Sequence, residues 1–163
     1  MTPEPRLSRA LRELIATRRV AALGTLDAHD PGQPFVSLVP YARVPGAGVL
    51  AVHLSGLAAH TANLARHPRA SLLIQAPEPD DGPVHALARV TLDVSADTPA
   101  AGSADWAALR AAYLARFPEA APMTELGDFR FVRLRPLAAR QVAGFGAARQ
   151  VDADELARVL GAP

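Results

Sequence analysis

Apolar residues at Leu7, Leu11, Leu14 and Ile15 recur at helical spacing with arginines between them, which predicts a helix over Leu7–Arg19. Ser8 or Thr2 is placed to cap its start. The run "VAALGTL", Val20 to Leu26, reads as a buried strand closed by the Asp-, Pro- and Gly-containing turn "DAHDPGQP". Phe35–Tyr41 is a second strand in which Pro40 implies an edge, a bulge or the strand's end. "VPGAG" turns the chain into a third strand, Val49–Leu54. A short helix follows, with Leu57, Leu64 and the intervening alanines on one side, and Pro68 ends it. Ala70–Gln75 is a fourth strand, and the polar loop "APEPDDGP" leads to a long fifth one, Val84–Val94.

Beyond the loop "ADTPAAGSAD", Trp106, Leu109, Tyr113 and Phe117 mark a helix over 106–117 with Ser103 or Asp105 as its cap. Phe129–Leu134 and Arg140–Phe145 are the last strand segments, and "VDADELARVL" is a capped C-terminal helix. Six or so strands with local connections argue for an antiparallel sheet that closes on itself, a small β-barrel with helices at its ends. Length and pattern predict one domain over residues 1–163.

Composition narrows the function classes. The 17 basic and 16 acidic residues leave a formal charge of +1. No basic run appears, so neither nucleic acid nor an anionic membrane surface is an expected partner. The absence of cysteine removes disulfides, thiol catalysis and thiolate metal sites. Charges interrupt the first twenty residues every few positions, unlike a signal peptide, and no apolar run is long enough to cross a bilayer. A cytoplasmic location is the expectation.

Familiar chemical motifs are missing. There is no dinucleotide or phosphate-loop fingerprint and no G-x-S-x-G elbow. The histidines at 29, 53, 60, 67 and 85 fall in no zinc-ligand spacing, so no metal site is expected. The acidic pairs in "EPDD" and "DADE" lie in loop or capping positions. One stretch remains, "SGLAAHTANLARHPRASLLI", Ser55 to Ile74. A helix opening after a strand has unpaired amide N–H groups and a partial positive charge at its start. Ser55, His60, Thr61 and Asn63 supply further donors, which suits an anion. Ser55 as a cap with the others facing water fits these residues equally well.

The segments "GQPFVSLVPYA", "VLAVHLSGLAAHTANLARHPRASLLI", "GDFRFVRLRP" and "VAGFGAARQVDADEL" resemble the FMN-binding split-barrel superfamily, most of all its pyridoxamine 5'-phosphate oxidase-related, haem-utilisation (HugZ-type) branch. The likeness runs from about Leu7 to Leu160. It implies a mainly β fold with flanking helices, a six-stranded antiparallel split β-barrel, and a homodimer whose ligand sites are shared between subunits. By the same likeness FMN is the implied cofactor. Ser37, Leu38 and Val39 would line the flavin, Ser55, His60, Thr61 and Asn63 would hold its phosphate, and Gln75 would reach the ring or ribityl chain. The function implied is a flavin-dependent oxidoreductase acting on a small-molecule substrate, with no residue standing out as a catalytic acid or base.

Two departures from the oxidases bear on this. Ser37 stands where that family has a phosphate-binding arginine, and His60 where it has a lysine; both keep a hydrogen bond and lose a permanent charge. The C-terminal arginine and histidine that hold the family's vitamin substrate have no counterpart in "QVDADELARVLGAP". Haem, bound or degraded, is the alternative ligand. That branch takes its iron ligand from a C-terminal histidine, whereas the last histidine here is His85, which leaves His53 or His60 for the role. A cofactor-free scaffold is the third reading.

Overall fold

The computed structural model describes residues 4–161. Helix α1 (Arg6–Thr17) is followed by strands β1 (Val20–Leu26), β2 (Pro34–Pro40), β3 (Ala42–Val44) and β4 (Val49–Ser55). Then come α2 (Ala59–Arg66), β5 (Arg69–Gln75), β6 (Arg89–Asp97), α3 (Ala104–Arg116), β7 (Phe129–Val142), β8 (Ala148–Val151) and α4 (Ala153–Gly161). All strand pairs are antiparallel, in the order β2-β1-β5-β6-β7-β4-β3, with β8 on the far end of β7. The fold is the mainly β split barrel with flanking helices that the sequence implies, built from eight strands instead of six.

The additional strands have local causes. Pro40 ends β2, because proline has no amide to donate to a ladder. The next residue, Tyr41, joins β2 to β3, which lies at the opposite edge of the sheet. Neighbouring Cα atoms are about 3.8 Å apart, so the two edges must meet there and the sheet must curl. Tyr41 is fully buried; its hydroxyl donates to Ile15 O at 2.7 Å. Burial raises its pKa far above the ordinary phenol value. The Arg116 guanidinium lies 5.9 Å from the ring and donates to Ala16 O and Arg18 O, which caps the end of α1.

Pro136 does not divide the last strand as its residue type suggests. It faces Val94, and the following pair is Asp93 with Ala138, so Leu137 is an extra residue on β7. The proline therefore sits at a β-bulge, and β7 runs on for 14 residues. One edge of β7 pairs with β6; the other pairs first with β4 and then with β8. Phe145, expected in a strand, is in the turn beyond β7 between Gly144 and Gly146, both at positive φ. The expected strand 84–94 begins instead with a 3₁₀ turn, Val84–Ala86, since pairing starts only where Arg89 meets the end of β5 at Gln75.

Ser103 is the cap of α3, accepting from Trp106 N. Ser8 does not cap α1; it lies inside the helix and donates to Glu155 Oε1 at 2.6 Å. Thr2 is outside the described residues.

Two apolar clusters share β4. Leu50, Val52 and Leu54 point into the barrel with Leu23, Leu72, Leu92 and Leu134. Val49 and Ala51 point the other way, under α3, where Leu109, Tyr113 and Phe117 cover them. His53 continues that second face, only 6 % exposed, 4.4 Å from the Phe131 ring centroid and 5.0 Å from that of Phe129. Its buried Nδ1 has no hydrogen-bond partner among the described residues. Desolvation lowers its pKa, with Asp128 pulling the other way.

Two outcomes follow. Tyr41→Phe leaves the Ile15 carbonyl buried and unpaired, so denaturant titration should show a loss of about 1–3 kcal/mol with an unchanged m-value. Because the folded pKa of His53 lies below its ordinary value, the unfolded chain takes up the proton first as the pH falls. The stability present above pH ~6.5 is then lost toward pH 5. Denaturant midpoints measured across that window should drop in the native protein and drop less in His53→Leu.

Candidate functional site

The turn from β4 into α2 is shaped by what its backbone meets. Gly56 N donates to Asp128 O, and a Cβ on Gly56 would lie 2.8 Å from that oxygen, so only glycine fits the approach. Ser55 Oγ accepts from Leu57 N at 3.2 Å and donates to Asp128 Oδ2 at 3.0 Å. Helix α2 starts from Ala58, which has no side-chain cap to offer. Two buried side chains hold the helix down. Thr61 Oγ1 donates to Ser55 O at 2.6 Å. Asn63, 2 % exposed, donates to Thr25 Oγ1 and accepts from Ala28 N at 2.9 Å, which ties α2 to β1 and to the turn after it.

This packing brings His60 over β2, with its Nδ1 2.9 Å from Ser37 Oγ. Alternation along β2 puts Ser37 on the same face as Val39, whose side chain belongs to the core. Burial lowers the His60 pKa, so the ring is neutral at physiological pH. Its Nε2 has no hydrogen-bond partner among the described residues.

The remaining expected residues are elsewhere. Leu38 points out of the opposite face of β2, 70 % exposed. It shares a groove of about 320 Å³ with Gln75, Val20 and Leu73. Gln75 closes the seven-residue β5, about 20 Å of extended chain from Arg69, where the strand leaves α2. Within one subunit the eight expected residues therefore do not form one pocket. Ser37 and His60 meet, while the Ser55 hydroxyl is bonded to Asp128 and Leu57 in the turn before α2. Thr61 and Asn63 have their donors committed to the protein. Val39 is interior, and Leu38 and Gln75 lie on the outer face. Asp128, which fixes Ser55, carries no sequence signal of its own, since only the β4–β7 register brings it there.

The same face as Leu38 carries Val36, 66 % exposed, beside Val20, Leu26, Ala22, Gly24, Ser71 and Leu73 of the neighbouring strands. No helix among the described residues covers it. No helix is long and apolar enough to cross a membrane, and no group of acidic and histidine side chains suited to a metal ion occurs among the described residues.

Comparison with known proteins bears on the ligand. The family model for pyridoxamine 5'-phosphate oxidase matches residues 7–143. The chain is 33 % identical to heme oxygenase HutZ of Vibrio cholerae, over 93 % of its own length and 84 % of that protein. It is 39 % identical to the chloroplastic non-canonical heme oxygenase HOZ of Arabidopsis thaliana, over 77 % of its own length but only 37 % of the plant protein's. A heme binding protein from Mycobacterium smegmatis superposes with a TM-score of 0.83 at 32 % identity, covering 96 % of this chain and 62 % of that one.

These relatives overturn the expected FMN cofactor and the flavin-dependent oxidoreductase built on it, because all three carry haem names. The geometry gives a physical reason. A phosphate grip needs charge or free donors. Here Ser37 is bonded to a neutral His60, and the hydroxyl and amide donors of Ser55, Thr61 and Asn63 are bonded within the protein. With a family model matched across most of its length, on a split barrel, the chain belongs to the pyridoxamine 5'-phosphate oxidase family.

Proposed function

We propose that this chain binds haem in a site that begins at the Ser37–His60 pair, and that oxidative haem breakdown is the reaction the binding serves. The names of the two curated relatives support the reaction class. The observation that carries the reading in this chain is the 2.9 Å contact between Ser37 Oγ and His60 Nδ1. In the tautomer that donates from Nδ1 to Ser37, the imidazole offers an unprotonated Nε2, the arrangement in which histidine ligates iron. Burial keeps the ring neutral, so no proton competes at physiological pH. His53, the other histidine considered, is packed among Phe129, Phe131 and Tyr113 and is closed to any ligand of this size.

Haem would supply the chemistry, an iron that binds and activates dioxygen. The chain's own part is to present the nitrogen, to orient it through Ser37, and to offer apolar surface nearby. Leu57, 90 % exposed, lies in the turn just before α2, and the partly exposed Phe35 lies on the Ser37 face of β2.

The reading extends to assembly. We take the chain to act as one split-barrel domain, since both apolar clusters share β4, and to pair with a second copy through the outer face of β2, β1 and β5. The exposed Val36 and Leu38 around the small residues Ala22, Gly24 and Ser71 support this, because such a face is costly to leave in water. Two copies facing one another there would place the Leu38–Gln75 groove of one near β2 of the other.

Titration with haemin, followed by the Soret absorbance, should give saturable binding at one haem per chain. His60→Ala should lose the ligated spectrum, and Ser37→Ala should weaken affinity about 10–100-fold. Unchanged spectra and affinities in both variants would rule out this site. Sedimentation velocity should give a dimer for the native chain and a monomer for Leu38→Glu, which buries a charge at the proposed contact.

A further inference from the structure

At the other side of α2 the barrel mouth holds a pocket of about 270 Å³ that the haem reading does not use. Leu64, Ala65, Pro68, Ala96 and Val132 supply the apolar side of its lining, and Thr61, Asp97, Thr98 and Arg130 the polar side. Arg130 stands at its lip, on the face of β7 that also carries Val132 and Leu134 into the barrel. The Arg130 guanidinium rests over Gly56, where a side chain would meet its Nη2 at 3.1 Å. Among the described residues it makes no ion pair and no hydrogen bond.

The acidic neighbour in the pocket is already neutralised. Asp97 is held by Arg133 at 2.7 Å and by Arg135 at 3.2 Å, and the Arg133 guanidinium keeps its carboxyl below the usual range. Asp128, two residues before Arg130, accepts from Ser55. Thr98 adds a hydroxyl to the rim.

An unpaired guanidinium above an apolar wall is complementary to a carboxylate carried on a short hydrocarbon body. Taking about 30 Å³ for each water-sized group, the pocket holds roughly nine of them, the size of a carboxylate with a five-carbon tail. We propose that the barrel mouth beneath α2 binds a small aliphatic monocarboxylate, with Arg130 as the partner of its carboxylate and Leu64, Ala65, Pro68 and Val132 around its tail. The site is separate from the Ser37–His60 pair and does not depend on haem.

Saturation-transfer NMR and thermal shift on the haem-free protein, with sodium hexanoate, hexanol and inorganic phosphate as probes, test it. Hexanoate should bind saturably, with hexanol and phosphate each at least about tenfold weaker, because either lacks one of the two features recognised. Arg130→Gln should lower hexanoate affinity about tenfold or more and leave hexanol unchanged. Ala65→Leu, on the exposed side of α2, should block both by filling the pocket while the far-ultraviolet spectrum and melting of the unliganded protein stay native-like. No hexanoate binding, equal binding by Arg130→Gln, or phosphate binding as tightly as hexanoate would overturn the proposal. Haemin binding measured on the same variants should be unaffected, which keeps this test distinct from the haem assignment.

Discussion

A single residue sets the shape of this protein. Tyr41 is all that separates β2 from β3, the two edges of a sheet seven strands wide along its path. A chain step of about 3.8 Å cannot bridge a flat sheet, in which strands are spaced by roughly 4.8 Å each, so the sheet has to roll until its edges touch. The buried ring then forms a hub. Its hydroxyl satisfies the Ile15 carbonyl, and the Arg116 guanidinium beside it satisfies the two that follow at Ala16 and Arg18. Helix α1, helix α3 and the sheet closure are thereby fixed at one point, with the three carbonyls at the end of α1 paired.

The candidate site follows from that closure at one remove. Rolling the sheet brings the β4–α2 turn across from β1 and β2, and Asn63 uses both its amide nitrogen and its amide oxygen to hold the helix there. His60 comes to rest on Ser37 as a consequence of how α2 is tied. The pair is neutral, a hydroxyl against an imidazole whose burial disfavours its charged form. Such an environment suits coordination by a lone pair better than capture of a dianion, and the electrostatics therefore agree with the kinship to haem proteins.

Much of this was legible in the sequence. The apolar runs of β1 and β4, the 3.6-residue spacing of α1 and α3, and the proline at the end of α2 marked these elements where they occur. Local stereochemistry and the burial of one face act over a few residues, so they leave a local record. The failures were equally physical. Pro136 looks like a strand breaker, and is harmless only because a bulge opposite Asp93 and Val94 leaves no amide to be missed. Val84 to Ala86 have the composition of a strand but no neighbouring strand to pair with. At the site, the sequence singled out polar residues near α2 but could not tell a free donor from a committed one.

The sequence by itself determined the fold class, the helix termini marked by Ser103 and Pro68, the family likeness, and the loss of positive charge at positions 37 and 60, because each depends on residue identity and on spacing along a few turns of chain. Tertiary structure alone decided that Ser37 meets His60, that Thr61 and Asn63 are structural ties, that Leu38 faces away from Ser37, and that Arg130 is left without a partner above an apolar wall. Those outcomes depend on strand register and on which polar group reaches which partner after burial, and such pairings join residues far apart in the chain, where no local pattern records them.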